Sequence, residues 1–339
     1  MYILTKNLYA KDEVVLSLIM CLLEKNDLQQ CYFWANEIYD SGYDINELLW
    51  KIYYDFYFEN NPKFEIYMRN TKGYITIVRN LYRFPTSDNV FMLRQYALLY
   101  NKPETYVGRT PTWTEKYTNK HFVRAIFKND LKNVANHIYN TNNCELLFDD
   151  VVKYFEGTDD VYNYLKECKY NDSKHFLLAI VIQLLNDNSN LHNTNKIIVP
   201  KKNFLQEISK PYNVLKNTRK YSIKTNIGCF NLERNNIKSV IETLRLQWEY
   251  YAYMCPFWNE KFKNFSGIKC EKTKKVIFPN DDNIEEFYDN YGYEPDEQSL
   301  LIQQQSTLCI PELTWLKWYR NVFNKESEFV YDKHFKFNY

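Results

Sequence analysis

Three adjacent acid pairs, Asp149-Asp150, Asp159-Asp160 and Asp281-Asp282, and five histidines are the side chains best suited to holding a metal or moving a proton. Paired carboxylates can bind Mg²⁺ and support phosphoryl chemistry, which keeps a metal-dependent enzyme among the readings. The same pairs have a structural explanation, because the N-terminal dipole of a helix favours acids in its first turn. His121, His137, His175, His192 and His334 form no HExxH pattern and have no serine or cysteine at a nucleophile's spacing. Glycine-rich phosphate loops, GxGxxG or GxxxxGKS/T, are missing. None of the eight cysteines pairs as CxxC, and the approach of Cys168 to His175 lacks the second half of a zinc site. They read as buried free thiols of a reducing compartment. The sequence therefore predicts no catalytic residue, no cofactor and no metal.

Binding chemistry is better represented. Between Lys196 and Lys238 stand ten Lys/Arg against two Asp/Glu. Within that stretch Lys201, Lys202, Lys216, Arg219, Lys220 and Lys224 are interleaved with Phe204 and Tyr221. Phosphate neutralisation combined with base stacking is how single-stranded nucleic acid is gripped. Between Asp281 and Glu297 lie eight acids and no base, so the two stretches can equally face each other within the molecule. A second candidate is Tyr43 followed at the fifth and sixth positions by Leu48 and Leu49. This matches the Y-x-x-x-x-L-Φ helical pattern with which scaffold proteins of translation initiation dock on a cap-binding partner. Leu48 and Leu49 also fall on an apolar stripe, which would place them in a core instead.

The elements that must position these residues are helices. Apolar periodicity predicts them near 13–25, 28–41, 45–60, 63–70, 73–84, 88–100, 119–129, 130–141, 144–156, 159–169 and 173–187. Gly42 follows a helix end, Asp44 with Glu47 forms a capping-box pattern, Asn61-Pro62 closes a helix, and Pro85 stops another. Asp88 and Asp159 read as further N-caps. In the helix from Ile45, one stripe holds Leu48, Leu49, Ile52, Tyr53 and Phe56, and Trp50, Tyr54 and Tyr57 form a second stripe roughly opposite. Only Glu47, Lys51 and Asp55 are left for a polar arc. A helix apolar on two sides needs neighbours on both flanks. An irregular α-solenoid of HEAT-like kind and the middle of an ordinary bundle both satisfy this, and no 34–47-residue period decides between them.

Residues 188–235 break the rhythm, dividing the chain into an N-terminal helical array (1–187), a basic connector (188–235) and a C-terminal helical part (236–339). In the last part a helix from about Asn236 is interrupted near Pro256, and IKCEKTKKVIF predicts a small β-hairpin near 268–278 with Thr273-Lys274 at its tip. Two short helices follow, then a last one carrying Trp315 and Trp318.

Composition agrees with this all-α reading. Seven glycines are few, and 31 tyrosines and 22 phenylalanines are many, for 339 residues. Glycine poverty disfavours tight-hairpin β folds. The net charge of +1 excludes an overall basic nucleic-acid coat. Asp12 and Glu13 precede the apolar run Val14–Leu23 and no small-residue cleavage site follows, so no secretory signal is expected. No run approaches the roughly 18 apolar residues of a membrane span, which predicts a cytoplasmic protein without membrane partners.

WANEIYDSGYDINELLWKIYYDFYFENNP, YSIKTNIGCFNLER, WEYYAYMCPFWNEKF and FPNDDNIEEFYDNYGYEPDEQS resemble recurring blocks of an uncharacterised protein family of nucleocytoplasmic large DNA viruses, the giant viruses. The resemblance spans Phe33 to Ser299. It implies a viral origin, cytoplasmic replication in host cytoplasm or viral factory, and an A/T-rich genome in keeping with the Asn, Lys, Tyr and Ile content. It implies no reaction. The expectation is a non-enzymatic viral scaffold with viral or host protein partners. The alternatives are an RNA-associated helical scaffold, for example of translation initiation, and a metal-dependent enzyme.

Overall fold

The computed structural model describes residues 3–25, 27–71, 73–100, 102–167, 173–186, 196–200 and 246–291, with 320, 322 and 323. These form fourteen α-helices and one two-stranded antiparallel sheet, an all-α fold carrying a small hairpin. The helices are α1 (Lys11–Glu24), α2 (Leu28–Asp40), α3 (Ile45–Phe56), α4 (Phe64–Asn70), α5 (Tyr74–Arg83), α6 (Asn89–Tyr100) and α7 (Lys120–Phe127). There follow α8 (Leu131–Asn140), α9 (Cys144–Tyr154), α10 (Asp159–Glu167), α11 (Lys174–Asn186), α12 (Trp248–Ala252), α13 (Pro256–Asn264) and α14 (Asp281–Tyr291). Strands β1 (Ile268–Cys270) and β2 (Lys275–Ile277) pair with Ile268 opposite Ile277 and Cys270 opposite Lys275. The eight basic-stretch candidates, Lys201, Lys202, Phe204, Lys216, Arg219, Lys220, Tyr221 and Lys224, lie outside the described residues, as do Trp315 and Trp318.

Helix α3 is the centre of the N-terminal array. Asp44 caps it, accepting from the backbone N–H of Asn46 at 2.9 Å and of Glu47 at 3.3 Å. On one side Phe56 packs on Phe91 of α6 with ring centroids 4.8 Å apart. On the other, Tyr54 meets Phe176 of α11 at 5.7 Å. Tyr57, just beyond the helix, is buried and donates to the carbonyl of Leu22 in α1. Tyr54 is dry, and Trp50 is half-buried and stacked on it at 5.4 Å. The two-sided pattern is thus realised, with one correction. Asp55 does not belong to a solvated arc: it is 1 % exposed and paired with Arg94 of α6. A second difference is local, since the helix ends at Phe56 and a separate 3₁₀ turn, Phe58–Asn60, carries the chain to Asn61.

Of the two architectures the sequence left open, the packing favours the globular one. Helix α11 returns to lie against α3, α6, α8 and α9, whereas a solenoid's repeats touch only their neighbours.

The C-terminal elements dock on the start of the chain. Leu4 N–H donates to Tyr251 O at 3.1 Å, and the Trp258 indole donates to Lys6 O at 3.1 Å and Thr5 O at 3.3 Å. Phe257 N–H donates to Ser41 O at 3.2 Å. Gly42, at φ +85°, allows this approach, because a Cβ there would stand 2.7 Å from the Pro256 side chain. Beneath the joint, Glu37 is buried and accepts from both the backbone and the side-chain N–H of Asn7. Burial pushes its carboxyl above the ordinary range, with the Asn7 and Thr5 hydrogen bonds opposing.

Candidate interaction surface

Groups with chemical potential inside the array are committed to holding it together. Arg94 grips Asp55 with Nε at 3.0 Å and Nη2 at 2.5 Å, a bidentate pair with both partners 2 % exposed or less. Nearby, burial and then the Arg94 charge lower the His175 pKa to about 4, leaving a neutral imidazole 6.2 Å from the Tyr139 ring. In a second group Glu65 accepts from Tyr54 Oη at 3.0 Å and Arg69 Nη2 at 2.6 Å. Both groups tie packed helices together, with Arg69 reaching partly to the surface.

The acid pairs resolve differently from one another. Asp159-Asp160 and Asp281-Asp282 open α10 and α14, as the dipole explanation requires, with Thr158 rather than Asp159 preceding the first turn. Asp149-Asp150 lies within α9 instead. Asp150 is fully buried and accepts from the backbone N–H of Thr118 at 2.8 Å and of Asn119 at 2.7 Å, anchoring a loop. Among the described residues no group of three His, Cys, Asp or Glu side chains is arranged to hold a metal ion. Cys21, Cys31, Cys144 and Cys255 are buried free thiols and Cys270 is half-buried, whereas Cys168, Cys229 and Cys309 lie outside the described residues.

Tyr43, Leu48 and Leu49 do not form a docking helix. Leu48 and Leu49 are buried in the core and Tyr43 is half-buried under the Lys11 ammonium, 4.0 Å from its ring. A helix that docks by this motif must offer its leucines to the partner, and here they are spent on the fold.

The loop that Asp150 anchors is the feature the helical pattern did not reveal. Residues 102–119 run as a strap across α7 and α8, containing one 3₁₀ turn, Thr112–Lys116. At its start Glu104 and Asn133 of α8 exchange two hydrogen bonds, Glu104 N–H to Asn133 Oδ1 at 2.8 Å and Asn133 Nδ2 to Glu104 O at 3.1 Å. Next the Tyr106 ring is held between Arg124, 5.0 Å away, and Lys128, 4.1 Å away, while its hydroxyl donates to Asp130 at 2.9 Å. Burial and that acceptor raise its pKa to about 12. Pinned at these points, the strap leaves its tip in solvent, with Val107 98 % exposed. It also sets Trp113, 38 % exposed, against Phe127 at the end of α7, 65 % exposed, with ring centroids 5.2 Å apart. Two large aromatics side by side at the surface make an exposed apolar patch.

Helix α7 contributes the charge. Lys120, Arg124, Phe127 and Lys128 recur at i, i+4, i+7 and i+8, one stripe of the helix, while Phe122, Val123, Ala125 and Ile126 face the core. Asn119 caps the helix at the N–H of Phe122, and Asn129 in the left-handed conformation (φ 54°) ends it. A cleft of about 390 Å³ opens beside its first turn, lined by Lys120, His121, Thr110, Thr118, Thr141 and Asn143 among others. No protein-family model matches the chain, and no curated protein or solved structure shows significant similarity to it. The strap and α7 therefore stand on their own geometry. The sequence signal was YVGRTPTWTEKY, a stretch without helical period that holds Gly, Pro and aromatic residues together.

Proposed function

We propose that the protein acts by binding rather than by turnover, as a non-enzymatic α-helical interaction scaffold whose contact surface is the strap–α7 face. One observation carries this reading: a strap anchored at Glu104, Tyr106 and Thr118 holds Trp113 in the open against the exposed Phe127 of α7. A pre-ordered aromatic surface loses little entropy when a partner covers it. The core contributes the rigid platform, and its buried ion pairs serve that platform. The likeness to giant-virus sequence blocks supports reading this scaffold as a viral protein of the host cytoplasm.

Affinity capture from the cells that produce the protein tests the proposal. Wild type is compared with the double variant Trp113→Ala/Phe127→Ala at equal abundance and equal thermal stability. The expected result is that specific partners captured by wild type are depleted at least tenfold on the variant. An identical set on both proteins would contradict it.

A further inference from the structure

We infer that the strap–α7 face binds single-stranded nucleic acid, bases stacking on Trp113 and Phe127 and phosphates meeting Lys116, Lys120 and Lys128. This rests on the reading of that face as the contact surface and names its occupant. Three observations point the same way. Bases of a single strand present bare π-faces, and the exposed rings, tilted 50° to each other, offer faces on which a base can stack. Cations surround the pair: between 102 and 132 stand seven Lys/Arg against three Asp/Glu, and Arg109, Lys116, Lys120 and Lys128 are all exposed. Of the three acids, Asp130 is already engaged by the Tyr106 hydroxyl.

Spacing and confinement select a strand over a duplex. Lys120 and Lys128 are eight residues apart on one stripe, about 12 Å at 1.5 Å per residue, so the two can meet phosphates two nucleotides apart on one extended strand. The neighbouring α9 carries exposed Glu145 and Asp149, so the positive field does not broaden into the wide surface a duplex needs. Paired bases would also keep their faces from the rings. The cleft beside Lys120, with His121 and the hydroxyls of Thr110 and Thr118 in its lining, offers polar groups to a phosphate or ribose of the same strand.

The full-length protein is titrated into fluorescein-labelled dU12, with the matching duplex as competitor, at several salt concentrations. Wild type is expected to bind the single strand in preference to the duplex, with affinity falling as salt rises. Trp113→Ala/Phe127→Ala is expected to weaken binding about tenfold, as loss of a stacking platform implies. Lys120→Ala/Lys128→Ala should lower the log–log salt slope by about 0.7 for each phosphate no longer neutralised. The altered side chains are exposed, and circular dichroism with a melting curve checks that the variants fold. Lys201→Ala/Lys202→Ala/Arg219→Ala/Lys220→Ala, within the basic stretch, is the control. If only that variant loses binding, or if wild type does not bind, the inference is overturned. Partner capture that still depends on Trp113 and Phe127 would then leave the scaffold reading standing, with a protein at this face.

Discussion

Single residues in the interior decide stability more than chemistry. Asp55 and Arg94 form a buried pair, and removing one partner strands the other charge away from water. Asp55→Ala should cost about 3–5 kcal/mol in urea unfolding, whereas Asp55→Leu combined with Arg94→Met should recover most of it. His175 has a folded pKa of about 4 against an ordinary 6.5, so between those values the unfolded chain binds more protons and stability falls as pH falls. Full development of that shift corresponds to about 3 kcal/mol, and His175→Phe should flatten the acid side of a stability–pH curve accordingly. Glu37 and Glu65 work in the opposite sense. Burial raises their folded pKa values above 4.5, so the folded state favours their protonated form and stability declines as pH rises through the folded values. Among the five described cysteines, Cys270 should alkylate first. The hydroxyl of Thr273 and the N–H groups of Thr273 and Lys272 stabilise its thiolate, while the Cys31 thiol, hydrogen-bonded to Cys21 and buried, is pushed far up. Iodoacetamide labelling with peptide mapping measures the order.

At the scale of elements, glycines with positive φ make unequal demands. Gly42 at φ +85° abuts Pro256, whereas Gly108 at φ +108° has nothing within 4 Å of the position its Cβ would take. Gly42→Ala should therefore lower the melting temperature clearly more than Gly108→Ala, which carries only the backbone strain, on the order of 1–3 kcal/mol. Helices were the legible part of the sequence because their apolar residues repeat at 3.6 and their ends carry Asp44, Gly42 and Pro85. The hairpin was legible through alternation in IKCEKTKKVIF. The strap was not, because irregular backbone has no period. Its anchors, Asn133 and Asp150, are polar residues on helices whose inward direction only the folded chain reveals. Asp55 misled for the related reason that a charge on a narrow arc implies solvent unless its partner, here 39 residues away, is known.

Across the whole molecule, the described C-terminal elements are tied to the first residues of the chain through Trp258, Phe257 and Tyr251. Among the described residues no helix is long and apolar enough to cross a membrane. Among the described residues, a helical array is stapled by the C-terminal elements, and the strap–α7 face carries exposed aromatics with cations around them. Site-specific photo-crosslinking inside the producing cells tests whether that face meets a partner. A photo-reactive amino acid is placed at position 113, and separately at position 66, where Ile66 is also exposed but belongs to α4 and not to the strap or α7. Discrete adducts are expected from position 113 and none from position 66. Adducts from position 66 alone, or from neither position, would contradict it.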